Sequence, residues 1–302
     1  MIYKSSDLAI IIPSINFQNI KTCLNSIKNQ TKKPGQTIVV FNKKKTIKSS
    51  KKIIFSYVNK SNQVFQRNHG LKLINKKIKL ILQLDDKFYL NKKAIENLIK
   101  EWNIAKDNVA GIGIKSNLKY HNTSKFNFLK YITLTGSANP GKVLISGFNN
   151  PLISKNKLDD VDWLQGGLSS WKLKHVPNIF NRKYPIVKWS ILEDLIFSFN
   201  VKYKKKLKLQ IGMGIKAYVL KKKEEHYSAH EYFYRGYEYA RMHKIFISLN
   251  RKKLSKTAFF YSYINNSIFG ILWYSLKLNV KLFFYLGRLI GIFANTKKIK
   301  VL

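Results

Sequence analysis

Two adjacent carboxylates, Asp85 and Asp86, end the apolar run Leu80–Leu84, which only Gln83 interrupts. Sheet interiors rarely tolerate charge, so the pair stands just past the carboxyl end of a buried strand, the edge at which open α/β sheets bind ligands. Paired carboxylates there offer hard oxygen ligands to Mg2+ or Mn2+, and such an ion holds a diphosphate. Lys87 follows directly, and its ammonium suits either a diphosphate or open solvent. The plain reading of the same residues is a turn in which Asp85 or Asp86 caps the helix starting near Asn91. Two further segments have the composition of a site. In Trp163–Trp171, WLQGGLSSW, Gly166–Gly167 lets the backbone approach a ligand, and the flanking aromatics either stack on a sugar ring or fill a core. In Leu192–Phe199, LEDLIFSF, the pair Glu193–Asp194 opens a helix, where the helix dipole favours carboxylates whatever else they do.

The elements that must position these residues alternate along the chain. Leu8–Ile12 reads as a buried strand ending at Pro13-Ser14, and Ile20, Leu24 and Ile27 recur at helical spacing after it. A turn at Pro34-Gly35 leads to a β-branched strand over Thr37–Phe41, and Ile53–Val58 is a third strand. Asn62 is placed to cap a helix running to about Ile74. The strand Ile78–Leu84 follows, then a helix from about Lys92 to Ala105, then the strand Val109–Ile114. Strands and helices alternating at this spacing predict an α/β fold with a mostly parallel sheet flanked by helices. Gly136, Pro140, Gly141 and Gly147 mark Lys115–Asn156 as loops or a short hairpin insertion without assigned chemistry.

Composition narrows the classes. The chain has 302 residues, 45% of them hydrophobic and 14% aromatic, which excludes a disordered protein. Its one cysteine, Cys23, excludes a disulfide framework, fits a reducing cytoplasm and reads as core filler on the first helix. Leu8–Ile12 is too short for a signal peptide and stops at Pro13. Against 56 Lys and Arg stand 15 Asp and Glu, a net charge of +41 that attracts any polyanion at low salt. The lysine clusters are scattered, however, and no zinc-finger spacing or RNA-recognition signature accompanies them, so specific nucleic-acid binding is not expected.

The order of the motifs resembles family-2 glycosyltransferases over about residues 8–230. In residues 8–42 a strand ends in Pro-Ser, a helix leads to a Gln-Thr turn and a second strand follows, as in that family; Phe65–Leu71, FQRNHGL, resembles its Arg-Asn-x-Gly segment. Asp85-Asp86 matches the first two carboxylates of its metal and nucleotide motif, and Lys87 stands where the family has a third. Phe41-Asn42 stands where its second strand usually ends in aspartate. The resemblance implies a GT-A, Rossmann-like domain over 1–230, with inverting transfer of a sugar from a nucleoside diphosphate to a hydroxyl of a glycan or lipid-linked acceptor; residues 231–302 are left as a helical C-terminal region. It implies a role in bacterial surface polysaccharide synthesis, Asp86 and His226 (His230 second) as ligands of Mg2+ or Mn2+, and Asp194 as the catalytic base. Pro13, Asn42, Arg67, Asp85 and Lys87 would line the donor site, and Trp163, Gly166, Gly167 and Glu193 the acceptor side. The alternatives are a nucleotidyltransferase, for which Ser14–Asn19 lacks the expected glycine, and a non-enzymatic polyanion-binding protein.

The tail lies beyond the resemblance. Ala258–Leu276 is apolar, but Asn265 and Asn266 sit near its centre and argue against a membrane span. Its spacing predicts an amphipathic helix with Phe260, Ile264, Ile268, Ile271 and Leu272 on or near one face. Leu282–Phe293 predicts a second, carrying Lys281 and Arg288. Basic amphipathic helices with aromatics suit an anionic membrane surface, which implies peripheral attachment to the inner face of the cell membrane.

Overall fold

Strand β1 (Leu8–Ser14) is buried along its whole length, as are β2 (Gln36–Phe41) and β4 (Leu80–Leu84), because each is covered on both faces. The computed structural model describes residues 2–15, 17–44, 49–50, 52–59, 62–116, 128–152, 157–176, 191–219 and 227–295. Within them the chain forms two compact units, one of Met1–Lys119, Ser154–Asn181 and Glu193–Lys222, the other of Tyr120–Ile153, Arg182–Leu192 and Lys223–Leu302.

The first unit holds an eight-stranded sheet in the order β3-β2-β1-β4-β7-β6-β8-β5, where β3 is Ile53–Tyr57, β5 Phe88–Leu90, β6 Val109–Ser116, β7 Leu168–Lys172 and β8 Lys208–Val219. β1, β2, β3 and β4 are mutually parallel, β7 runs against them, β6 and β8 return to the first direction, and β5 closes the edge antiparallel to β8. This is the mostly parallel sheet expected. Helix α1 (Phe17–Lys28) buries Ile20, Cys23 and Ile27, and α3 (Ala94–Ile104) buries Ala94, Ile95, Leu98 and Trp102, at the spacing of one helical face. Cys23 is core filler, and burial pushes its thiol well above its ordinary range.

Helix α2 (Gln63–Lys72) differs. Its buried face carries Gln66 and Arg67 beside Val64 and Gly70, so amphipathic spacing hardly marks it. Its start is set by Asn62, whose side chain accepts from Val64 N at 2.8 Å. Gln66 Nε2 donates to the carbonyls of Ser14 and Val40, at 3.0 and 2.7 Å, latching the helix to the ends of β1 and β2.

The second unit is built on α6 (Ala229–Leu249), α7 (Lys256–Leu276) and α8 (Leu282–Gly291), with the short α4 (Phe128–Ile132). A bridge between Val143 and Asn149, turned by Gly147 at φ +85°, is the small hairpin that the glycines of this stretch suggested. α6 and α8 cross at glycines: a Cβ on Gly236 would lie 1.9 Å from the Phe284 carbonyl oxygen, and one on Gly287 would lie 2.0 Å from that of Phe233. So close an approach draws Arg288 inside, a departure from the outward basic face expected of it. Its guanidinium lies 4.4 Å from the Tyr263 ring centre and donates to Asn266 Oδ1 at 2.7 Å.

Gln66→Leu should lower stability by about 1–3 kcal/mol, because two strand-end carbonyls lose their buried donor. Urea unfolding should show a lower midpoint at unchanged slope.

Candidate active site

Register puts the chemistry at one edge of the first unit's sheet. β1 and β2 pair through Ser14 and Phe41, so Asn42 lies one residue past that pair. β1 and β4 pair up to Ile11 opposite Gln83, which brings Ser14 level with Asp86. Ser14 Oγ indeed donates to Asp86 Oδ2 at 2.6 Å. Pro13 is buried in β1, and the ladder to β4 has already stopped at Ile11. β7 begins opposite Leu84, so the Gly166–Gly167 turn that precedes it lies at the same edge; Asp85 N donates to the Gly167 carbonyl at 3.0 Å.

Arg67 is the hub. It is 1% exposed, and its Nη2 donates to Asp85 Oδ1 at 2.9 Å and to Gln63 Oε1 at 3.3 Å, while Nη1 reaches Glu193 Oε1 at 3.3 Å. The guanidinium thus ties the end of β4 to the first turn of α5 (Glu193–Lys204). Lys87, half-exposed, approaches Asp85 Oδ2 at 3.4 Å, so both oxygens of Asp85 face cations. Asp85 is buried and Asp86 only partly so.

Both glycines lie against the charged groups. A Cβ on Gly167 would fall 2.2 Å from Asp85 Cγ, and one on Gly166 would fall 3.1 Å from Asp194 Cβ and 3.3 Å from Arg67 Nη1. The turn therefore closes over the carboxylates: a side chain at 167 would overlap Asp85, and one at 166 would press on Asp194 and Arg67. Asp194 is held by two amides, Gly166 N at 3.2 Å and Leu195 N at 2.8 Å. Burial pushes its carboxyl above the ordinary range, against those amides and Arg67. Burial and the charge of Asp194 push Glu193 up to about 8, although Arg67 pulls the other way. Because burial outweighs the pull of Arg67, the Glu193–Asp194 pair retains a proton that it would lose in water.

Asp85, Lys87, Arg67, Gly166, Gly167, Glu193 and Asp194 are brought together in this way, with Asp86 beside Ser14. Trp163 is 8% exposed, which leaves little of its ring open to a ligand. His226 lies outside the described residues, and His230 is an exposed residue of α6 in the second unit, its ring stacked on Tyr234. Among the described residues no three His, Cys, Asp or Glu side chains converge as a metal cluster. Sequence reasoning missed Ser14, Gln63 and Gln66; the polar stripe on an otherwise helical segment was the signal that α2 packs against something charged.

No family model and no curated protein matches this chain. Solved structures do. The mannosyltransferase PcManGT from Pyrobaculum calidifontis, in complex with GDP-Man and Mn2+, is 8% identical with a TM-score of 0.55, over 95% of this chain and 86% of that one. S. aureus TarS 1–349 in complex with UDP-GlcNAc is 14% identical with a TM-score of 0.50, over 93% and 90%. The chain has a glycosyltransferase-like fold. At these identities the likeness is one of fold.

Between about pH 4.5, the ordinary value for glutamate, and about 8, the folded protein holds a proton on Glu193 that the unfolded chain has released. Stability should therefore fall as pH rises through that window. Glu193→Gln should flatten the decline when melting temperature is measured across it.

Proposed function

We propose that this protein is a GT-A glycosyltransferase of the family-2 type, moving a sugar from a nucleoside diphosphate to a hydroxyl of a glycan or lipid-linked acceptor. The observation that carries the reading is the convergence, at the ligand-binding edge of one sheet, of Asp85-Asp86, the Gly166–Gly167 turn and Glu193–Asp194 around Arg67. The likeness of fold to proteins solved with GDP-Man and UDP-GlcNAc supports it.

In this reading Ser14, Asn42 and Asp86 face the donor, and Lys87 stands at the rim beside its diphosphate. The donor set fits a hard divalent ion: Asp86 is a partly exposed carboxylate, and Mg2+ or Mn2+ commonly takes one or two protein carboxylates with the substrate's own phosphate oxygens. When bound, such an ion neutralises charge on the departing diphosphate. Asp86 would hold it, and the resemblance adds His226. Asp85 is turned inward to Arg67 and serves as a positioning residue. Arg67 joins the donor-side strand end to the helix that carries the base.

Asp194 accepts the proton of the acceptor hydroxyl as that oxygen bonds to the anomeric carbon. The bond from the same carbon to the diphosphate oxygen breaks, and its electron pair leaves with the diphosphate. Attack from the face opposite the leaving group inverts the anomeric configuration. The Gly166 and Leu195 amides fix the carboxylate's direction, and its raised pKa makes it a stronger base than a carboxylate in water. Synthesis of a surface polysaccharide would suit such an acceptor.

Calorimetric titration with UDP- and GDP-sugars, with and without Mn2+, tests the reading; absence of binding by all of them would refute it. Asp86→Ala should cost more than tenfold in turnover at saturating Mn2+, above about 1.4 kcal/mol, with the fold retained. Asp194→Asn should lower kcat by about 10²–10⁴-fold and leave donor affinity unchanged. An equal loss of both would make the residue a helix cap. In the wild type, kcat/KM should rise with pH along a limb lying above the ordinary aspartate value of 3.8. A pH–rate profile measures it.

A further inference from the structure

Helix α7 is turned inside out relative to an ordinary surface helix. Its inward face buries Phe259 and Tyr263 but also Ser262, Ser267 and Gly270. Its outward face carries Ile268, Phe269, Leu272, Trp273 and Leu276, and Leu278 continues it in the turn toward α8. These side chains are exposed by 45% at Ile268, 84% at Leu276 and 95% at Leu278. Contiguous apolar surface of this kind on a soluble face marks an interaction site.

The charge around it names the occupant. From Tyr239 to Leu302 the chain has no Asp or Glu and twelve Lys and Arg. Arg251, Lys252, Lys253, Lys256, Lys277 and Lys281 are exposed. Lys277 Nζ lies 4.1 Å from the centre of the Trp273 ring, at the foot of the apolar face. A second copy meeting this face would bring cations against cations with no carboxylate of its own in the segment. A surface of anionic lipid supplies both the missing negative charge and an apolar layer beneath it. Among the described residues no helix is long and apolar enough to cross a membrane, so the contact lies along the surface.

We propose that the outward face of α7 and the α7–α8 turn dock this protein on an anionic bilayer, with Leu272, Trp273, Leu276 and Leu278 entering the interface and Lys277 and Lys281 meeting the head groups. The contact is independent of the catalytic reading. Ile268 and Leu272 of the face expected from sequence lie on the docking side, whereas Arg288, expected among the basic residues of the surface, is buried and takes no part.

Flotation of the full chain with vesicles tests it, using phosphatidylcholine alone and phosphatidylcholine mixed with phosphatidylglycerol. At physiological salt, which screens charge beyond about 8 Å, the protein should float with the mixed vesicles and stay behind with the neutral ones. The triple variant Leu272→Ser, Trp273→Ser, Leu276→Ser should lose at least tenfold in binding with an unchanged melting temperature. Lys277→Glu with Lys281→Glu should lose roughly tenfold or more, since each cation near the surface contributes. Brominated lipid should quench tryptophan emission in the wild type and do so less in Trp273→Phe. Three outcomes would overturn the proposal: wild type that stays in the dense fraction, a triple variant that floats as the wild type does, or a wild-type dimer that the triple variant dissociates in sedimentation while vesicle binding persists. Should the triple variant misfold, the quenching comparison with Trp273→Phe decides alone.

Discussion

A buried guanidinium has to be paired, and in the first unit the pairing of Arg67 holds the site together. Removing one partner of a buried ion pair costs several kcal/mol because it leaves an uncompensated charge. Arg67 therefore constrains two segments far apart in sequence: Asp85 at the end of β4, 18 residues on, and Glu193 at the start of α5, 126 residues on. Gln66, the neighbouring residue on α2, does the same for the ends of β1 and β2 through two backbone carbonyls. One polar helix face thus sets the relative heights of three strand ends and one helix start.

The same pairing divides labour among carboxylates that look alike in sequence. Asp85 spends both oxygens on cations and lies under Gly167, so it is a structural anchor. Its neighbour Asp86, in the turn that follows, meets Ser14 instead. Of the second pair, Glu193 faces the guanidinium and Asp194 faces two amides. Burial raises the carboxyl pKa values of both, the charge of Asp194 adds to the rise at Glu193, and Arg67 opposes it at each.

In the second unit glycine does what charge does in the first. Gly236 and Gly287 allow α6 and α8 to meet backbone to backbone, and Gly270 of α7 receives the ring of Tyr285 of α8. Close packing through small residues spends little apolar side chain on the interior. The large apolar residues of α7 are left for the outside, where the basic surroundings suit anionic lipid.

Much of this was legible in the sequence because it is local. Apolar runs ending in Pro13-Ser14, Phe41-Asn42 and Asp85-Asp86 mark strands and their carboxyl ends, Asn62 marks a helix start, and Glu193–Asp194 marks another, each within a few residues of the feature it explains. The hairpin at Gly147 and the helices of the tail were readable for the same reason. What was not legible depends on pairs distant in the chain. β5 escaped notice because it is three residues long, and β7 because Ser169 and Ser170 break its apolar run; both run antiparallel within a parallel pattern. That Arg67 faces Asp85 and Glu193, that Gly167 is a glycine because of Asp85, and that α7 shows its apolar face outward follow from which elements pack together. Periodicity assigns residues to the face of a helix, but only the neighbours that cover one face decide which side remains for solvent, a ligand or a membrane.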